Sequence, residues 1–344
     1  MNTRTELVKL LSDGVFHSGT DLGKKLGITR AAVCKSIRKL TQSGLDVHRV
    51  TGRGYKLDAP LTLLDRSRIL KHLGSAAADF RDRVHVLEEV DSTNRHLAEL
   101  MTHAKIINGM TCLAEAQSGG RGRRGRAWIA TPYHNVLLSM GWRFASGPGI
   151  VSGLSLAAGV ALVRALEEYG MRGIGLKWPN DVLWVAPGIT PHATRAHPCA
   201  AEEKKLAGLL VDVQGEAGGP CLAVLGVGVN GFLSERDAAR IDQPWTDLFS
   251  ITGATVDRNR LAALVIRELW RMFEVFADKG LAAFRDEWQR RHLYHGRRVR
   301  LLAGEREIAG TVEGIDAHGA LLLRNARGGT QAFHSGEISL RAVT

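Results

Sequence analysis

Apolar positions in the first sixty residues recur at helical spacing and then at strand spacing. Leu7, Leu10 and Leu11 share one helical face, and HSGTDLGKKLG predicts a second short helix with Ser18 as its N-cap. After Gly27, TRAAVCKSIRKLTQSG predicts a third helix capped by Thr29, with Val33, Ile37 and Leu40 as its apolar stripe. Gly44 ends it, and DVHRV, TGRG and YKL read as strand, tight turn and strand. Helix, helix, turn, helix and hairpin together predict a winged helix-turn-helix over residues 1–60, closed by Pro60.

Periodicity also organises the rest of the chain. LTLLDRSRILKHLG reads as a short helical linker. Leu261, Leu264, Val265, Leu269, Met272, Phe273 and Phe276 form a stripe that predicts a long core-facing helix. RRVRLL, EIAGTVEGI and ALLLRN are short alternating strands joined by turns, which predicts a small β domain over 294–344.

Charge sharpens the reading of the N-terminal module. Residues 1–60 hold eleven Lys or Arg against five Asp or Glu, a net of +6 out of +11 for all 344 residues. A basic balance gathered in one terminal segment suggests a polyanion partner. Arg30, Lys35, Arg38 and Lys39 on the third helix and Arg53 at the hairpin tip are the candidate DNA contacts. The composition, 44% hydrophobic and 24% charged, is that of an ordinary globular protein. No signal peptide or long uncharged apolar run is evident, so a cytoplasmic location away from membranes is expected. The four cysteines are far apart in sequence and read as reduced thiols.

The most specific stretch is GGRGRRGRAW, from Gly119 to Trp128. Gly120, Gly122 and Gly125 match a dinucleotide fingerprint literally, but RAWIATPYHNVLLSMGWRF continues as strand-like sequence rather than helix, and no acidic residue follows at the required distance. No GK[ST] ends a P-loop either. What remains is a glycine loop carrying Arg121, Arg123, Arg124 and Arg126, suited to closing over a phosphorylated ligand. Downstream, LKWPNDVLW offers Lys177 for phosphate and the oxygens of Asn180 and Asp181 for magnesium. KKLAGLLVDVQG sets Lys204 and Lys205 before an apolar strand, with Gly208 giving room for a ligand to approach the backbone. LAVLGVGVNG and QPWTDL add Asn230 and Trp245.

In this order, DSTN at 91–94, AEAQSGGRGRRGRAW, KWPND, KLAGLL, GVGVN and Trp245 resemble the biotin protein ligase family. With the winged helix in front, the whole chain resembles the bifunctional bacterial form that also acts as the biotin operon repressor. The resemblance implies an α/β (α+β) protein: a winged helix-turn-helix at 1–60, a mixed-sheet catalytic domain binding biotin and ATP at 61–293, and an SH3-like barrel at 294–344. It implies formation of biotinyl-5'-AMP and transfer of biotin to a lysine of a biotin carboxyl carrier protein, with Mg2+ as the metal. Operator DNA and a homodimer in the adenylate-bound state would be further partners.

Roles carry over by the same resemblance. Ser92, Thr93, Asn94, Gln117 and Gly208 would line the biotin pocket, and Gly120, Arg121, Gly122 and Arg123 would fold over biotin and its adenylate. Lys205 and Arg123 would act at the reacting centre, Lys205 also touching biotin. Arg123, Arg126, Trp128, Lys177, Asn180, Asn230 and Trp245 would serve the nucleotide, with Trp245 stacking on adenine, and Asp181 the metal. The chain departs from the family in a longer segment at 185–203, expected to be a surface loop; its His192, His197 and Cys199 match no standard metal spacing. Two alternatives stay open: a ligase whose winged helix does not regulate, and a lipoate-attaching enzyme, though GRGRRGRAW favours biotin.

Overall fold

The computed structural model describes residues 3–42, 44–58, 60–186, 203–216, 219–303, 306–334 and 338–342. His192, His197 and Cys199 lie outside the described residues.

The N-terminal unit packs helices α1 (Thr3–Leu11), α2 (Gly19–Leu26) and α3 (Arg30–Gln42) against the antiparallel hairpin β1 (Val47–Val50) and β2 (Gly54–Leu57). Ser18 Oγ accepts from Asp21 N and caps α2, and Thr29 Oγ1 accepts from Ala32 N at the head of α3, two caps that satisfy otherwise orphaned donors. Leu7, Val8, Leu11, Leu22, Val33, Ile37 and Leu40 close its core, so the predicted stripes face inward.

Next come α4 (Arg66–Leu73), α5 (Ala77–Phe80), β3 (Val84–Val90), α6 (Thr93–His103), β4 (Thr111–Gln117), β5 (Val136–Phe144) and α7 (Leu154–Tyr169). Strands β6 (Ile174–Lys177), β7 (Asp181–Trp184), β8 (Lys204–Gly215) and β9 (Cys221–Val229) complete one seven-stranded sheet of order β3-β4-β5-β9-β8-β7-β6. Only β3 and β4 run parallel; the other pairings are antiparallel. Short helices α8 (Glu235–Ala238) and α9 (Leu248–Thr252) precede the long α10 (Arg258–Lys279) and α11 (Arg285–Arg291). The predicted stripe of α10, from Leu261 to Phe276, is buried throughout.

Two sequence expectations are corrected here. The segment read as a linker is part of the core: Ile69 and Leu73 of α4 are buried in the main cluster, and α4 packs on α10. Its approach is pinned by Arg258, which donates to Thr62 O (2.6 Å) and to Glu115 Oε2 (2.6 Å), while Glu115 Oε1 accepts from Leu64 N (2.6 Å). The strand-like run after Arg126 is a strand only from Val136. The residues before it form an ordered loop, and Tyr133 of that loop is buried in the core of the winged helix. Arg4 with Glu89 and Thr5 with Glu88 add polar contacts between α1 and β3.

At the C-terminus, β10 (Arg298–Ala303), β11 (Arg306–Ile315), β12 (Leu321–Arg324), β13 (Thr330–Phe333) and β14 (Ile338–Ala342) form an antiparallel sheet of order β13-β12-β11-β10-β14. It is tied to the central unit by the buried indole of Trp178, which donates to Gly319 O at 3.0 Å. No described helix is long and apolar enough to cross a membrane.

Candidate active site

The three sequence motifs converge on one cleft over the β8 and β9 side of the central sheet. It is lined by Ser92, Thr93, Asn94 and Gln117, by Arg121 to Arg124, Arg126 and Trp128, by Lys177, Asn180 and Asp181, and by Lys205 and Gly208. The cleft opens to solvent along its mouth. Asn230 and Trp245 line an adjoining recess with Arg126, Trp128 and Lys205.

One end of the cleft is a fixed polar floor. Ser92, Thr93 and Asn94 open α6 and are buried. Gln117 Oε1, at the end of β4, accepts from Thr93 N (2.7 Å) and Thr93 Oγ1 (3.0 Å). Ser139 Oγ on β5 lies 2.7 Å from Thr93 Oγ1 and 2.6 Å from Asn94 Oδ1. Asn94 Nδ2 donates to Asp212 Oδ2 at 2.9 Å. Ser139 and Asp212 were not singled out in the sequence. Ser139 is a single polar residue within the apolar run VLLSMG, and Asp212 alternates with valines in LLVDVQG, patterns that by themselves mark no site.

The arginine loop is a folded hairpin over this floor. Gly122 N donates to Arg126 O (2.7 Å) and Trp128 N to Gly120 O (2.9 Å), which fixes both ends of the turn. A Cβ on Gly120 would come within 2.9 Å of Trp128 O and 3.2 Å of Gln117 Nε2, so the loop needs glycine there to reach the floor. Arg124 and Arg126 are exposed at the mouth. Arg123 reaches inward: its Nη1 makes a long contact of 3.5 Å to Asn180 Oδ1. Burial, and then the neighbouring Arg124, pull its pKa below the usual arginine range, with Asp181 opposing.

The opposite end is charged. Lys205 Nζ lies 2.7 Å from Asp181 Oδ1 across the β7–β8 pair and 5.5 Å from the centre of the Trp128 ring. Asn180 Nδ2 donates to Leu209 O (2.7 Å), which leaves its Oδ1 turned toward the loop. Lys177 Nζ lies 5.6 Å from the centre of the Tyr294 ring.

Gly208 and Asn230 also have partners within the protein. The space above Gly208 is taken by Trp128: a Cβ there would sit 2.8 Å from the indole, and one on Gly228 2.5 Å from it. These two glycines seat the tryptophan, and Gly208 also lines the cleft. Its Nε1 is buried and has no hydrogen-bond partner among the described residues. Asn230 spends its amide on the backbone, donating to Thr246 O (3.0 Å) and Lys205 O (3.4 Å). It thereby holds the loop of Trp245 against the start of β8, where Lys205 N donates to Pro244 O (3.0 Å).

On the N-terminal unit, Arg30, Lys35, Arg38 and Lys39 of α3 and Arg53 of the hairpin turn are all exposed, and Lys35, Arg38 and Lys39 lie on the side of α3 away from Val33, Ile37 and Leu40. Arg53 lies 4.3 Å above the Phe16 ring.

Comparison with known proteins agrees with this division. Residues 86–230 match the biotin/lipoate A/B protein ligase family, 294–341 the biotin protein ligase C terminal domain and 3–56 an HTH domain. The bifunctional ligase/repressor BirA of Escherichia coli (strain K12) is 38% identical over 338 residues, covering 98% of this chain and 97% of that one. The biotin--[acetyl-CoA-carboxylase] ligase of Mycobacterium tuberculosis is 34% identical over 286 residues, covering 80% and 95%. Among solved structures, the biotin protein ligase of Aquifex aeolicus in complex with biotin and ATP matches with a TM-score of 0.59 and 28% identity, over 76% of this chain and all of that one.

Proposed function

The chain belongs to the biotin/lipoate A/B protein ligase family as a biotin protein ligase with an HTH repressor domain, and we propose that its cleft makes biotinyl-5'-AMP from biotin and ATP and passes biotin to a lysine of a biotin carboxyl carrier protein. The observation that carries this reading is the polarity of the two ends: a neutral, hydrogen-bonding floor and a cationic rim, with Trp128 between them. Biotin's ureido group offers two N–H donors and a carbonyl, which the hydroxyls and amides of Thr93, Asn94, Gln117 and Ser139 can pair. A dithiolane offers no such groups and would leave that floor unsatisfied, which disfavours lipoate.

Lys205 and Arg123 lie where the carboxylate of biotin would meet the α-phosphate, and their charge opposes the negative charge that builds up as the carboxylate oxygen attacks phosphorus and pyrophosphate leaves. Arg126, Lys177 and Trp245 surround the remaining phosphates and base. Asn180 and Asp181 carry hard oxygens of the kind that would hold a magnesium ion beside Lys205 and Arg123. When bound, that ion would neutralise phosphate charge. No covalent enzyme intermediate is required: positioning supplies much of the rate, and the activated carboxyl then meets the carrier lysine.

The exposed basic face of α3 and Arg53 would contact operator DNA. Two copies of α3 on a palindromic site require a homodimer. Strand β8 offers a seam for it: β7 pairs only as far as Gly208, so Leu210 to Gly215 are paired on the β9 side alone among the described residues. Biotinyl-AMP in the cleft below would favour that dimer. The test is a gel shift on the DNA upstream of its own gene together with sedimentation. Retardation and dimerisation that both need biotin plus ATP support the reading; a ligand-independent monomer that transfers biotin and ignores that DNA overturns its regulatory half.

A further inference from the structure

We propose that Asp212 is a positioning residue that ties the arginine loop to the biotin floor, so that the lid and the floor hold ligand as one unit. The inference rests on the reading of the cleft given above and adds a residue to which that reading gives no role.

Asp212 stands on β8 between Val211 and Val213, which pack on the main core. Strand alternation therefore turns Asp212 to the cleft face. Its Oδ2 accepts from two donors that come from different parts of the site: Asn94 Nδ2 of the floor at 2.9 Å and Arg121 Nη2 of the loop at 3.3 Å. Asn94 is buried, and β9 leaves it no slack, since a Cβ on Gly226 would lie 2.4 Å from Asn94 Oδ1. From Asn94 the contacts run through Ser139 and Thr93 to Gln117. Moving Arg121 thus disturbs the carboxylate that orients the floor.

An ion pair between side chains 44% and 37% exposed contributes little by itself. The contact to buried Asn94 makes the difference, because losing it leaves that amide only its long 3.4 Å bond to Leu210 O beneath the ligand. Ligand in the cleft would also cover the Arg121–Asp212 pair and reduce its screening. The effect should therefore appear in ligand retention and on the biotin side of the cleft, whereas Lys205 and the nucleotide contacts lie elsewhere.

The experiment measures biotinyl-AMP release and the two KM values in the full chain for the parent, Asp212→Ala, Asp212→Glu, Arg121→Ala and the Asp212→Ala/Arg121→Ala double variant. Asp212→Ala should release biotinyl-AMP about tenfold faster, the scale of one charge-assisted contact, and raise the KM for biotin while that for ATP stays put. Asp212→Glu should recover most of the retention. The double variant should release more slowly than the product of the single effects, since both substitutions cut one link. The proposal is overturned if Asp212→Ala retains biotinyl-AMP like the parent, or if both KM values rise together with a loss of thermal stability that Asp212→Glu does not repair. A parent that forms no biotinyl-AMP from biotin and ATP brings down the reading of the cleft itself and this inference with it.

Discussion

Lys205 Nζ and Asp181 Oδ1 lie 2.7 Å apart at the mouth of the β7–β8 pair, each side chain less than one-fifth exposed. The carboxylate thus holds the lysine in place within the cleft. Lys205→Ala should leave the fold intact, because the backbone of residue 205 keeps its bonds to Pro244 and Thr246. Adenylate formation should fall by about 100-fold or more, as when one charge-stabilising donor is removed. Pyrophosphate release is the measurement, and a near-normal rate would take Lys205 out of the chemistry.

The arginine loop should act more on retention than on synthesis. Biotinyl-AMP is a mixed anhydride that acylates amines when it escapes, so the site must hold it until the carrier lysine arrives. Arg123→Gly removes a charge-assisted contact worth roughly 1.5–3 kcal/mol, which speeds release by about 10- to 150-fold if the loss lies in the off-rate. Indiscriminate labelling of an unrelated lysine-rich protein should rise accordingly. A variant that makes adenylate yet labels bystanders no faster than the parent would show that the loop is not a lid.

Arg38→Ala should separate the two activities. Arg38 is exposed on α3, remote in sequence from every residue of the cleft. DNA affinity should drop, and the slope of log affinity against log salt should lessen by about 0.9 if the contact is one phosphate. Biotin transfer should be unchanged; a parallel loss of transfer would contradict independent sites.

How much of this was legible in the sequence depends on how local the signal is. Ser18, Thr29 and the stripe of α3 announce themselves within one turn of helix, and the structure places them as read. The motif residues gather in one cleft because each motif sits at a strand end or in a turn, where polar side chains cluster. What local pattern leaves out are partners distant in sequence. Trp128 takes the space over Gly208 and Gly228, eighty and one hundred residues away, and no local pattern encodes that seat. Leu64, Ile69 and Leu73 read equally well as linker or core until Arg258 and Glu115 fix the approach to α4. Tyr133 belongs to the winged-helix core although it follows the arginine loop, and only the docking of the two units reveals it.

His292 gives the stability a pH dependence of known sign. It is 1% exposed, stacks on Trp288 at 4.4 Å between ring centres, and neither ring nitrogen has a hydrogen-bond partner among the described residues. Burial, with a smaller contribution from His295, depresses its pKa to about 3. The unfolded chain binds a proton near pH 6.5 that the native ring refuses. Stability from this group is therefore complete above about pH 6.5 and is lost as pH falls toward 3, on the order of 2 kcal/mol by pH 5. His292→Phe keeps the stacking and removes the titration, so urea midpoints of parent and variant should diverge below about pH 6.5, with the parent falling faster. Parallel pH profiles would show that the ring is protonated in the fold.

A cleft that activates biotin and hands it to a carrier lysine must leave one biotinyl group on that carrier. The direct measurement is mass spectrometry of a purified biotin carboxyl carrier domain incubated with this chain, biotin, ATP and magnesium, with each small molecule omitted in turn. One biotinyl group on one carrier lysine, appearing only when biotin and ATP are both present and lost with Lys205→Ala, is the predicted result. An unmodified carrier under the complete mixture, or modification that survives without ATP, would contradict it.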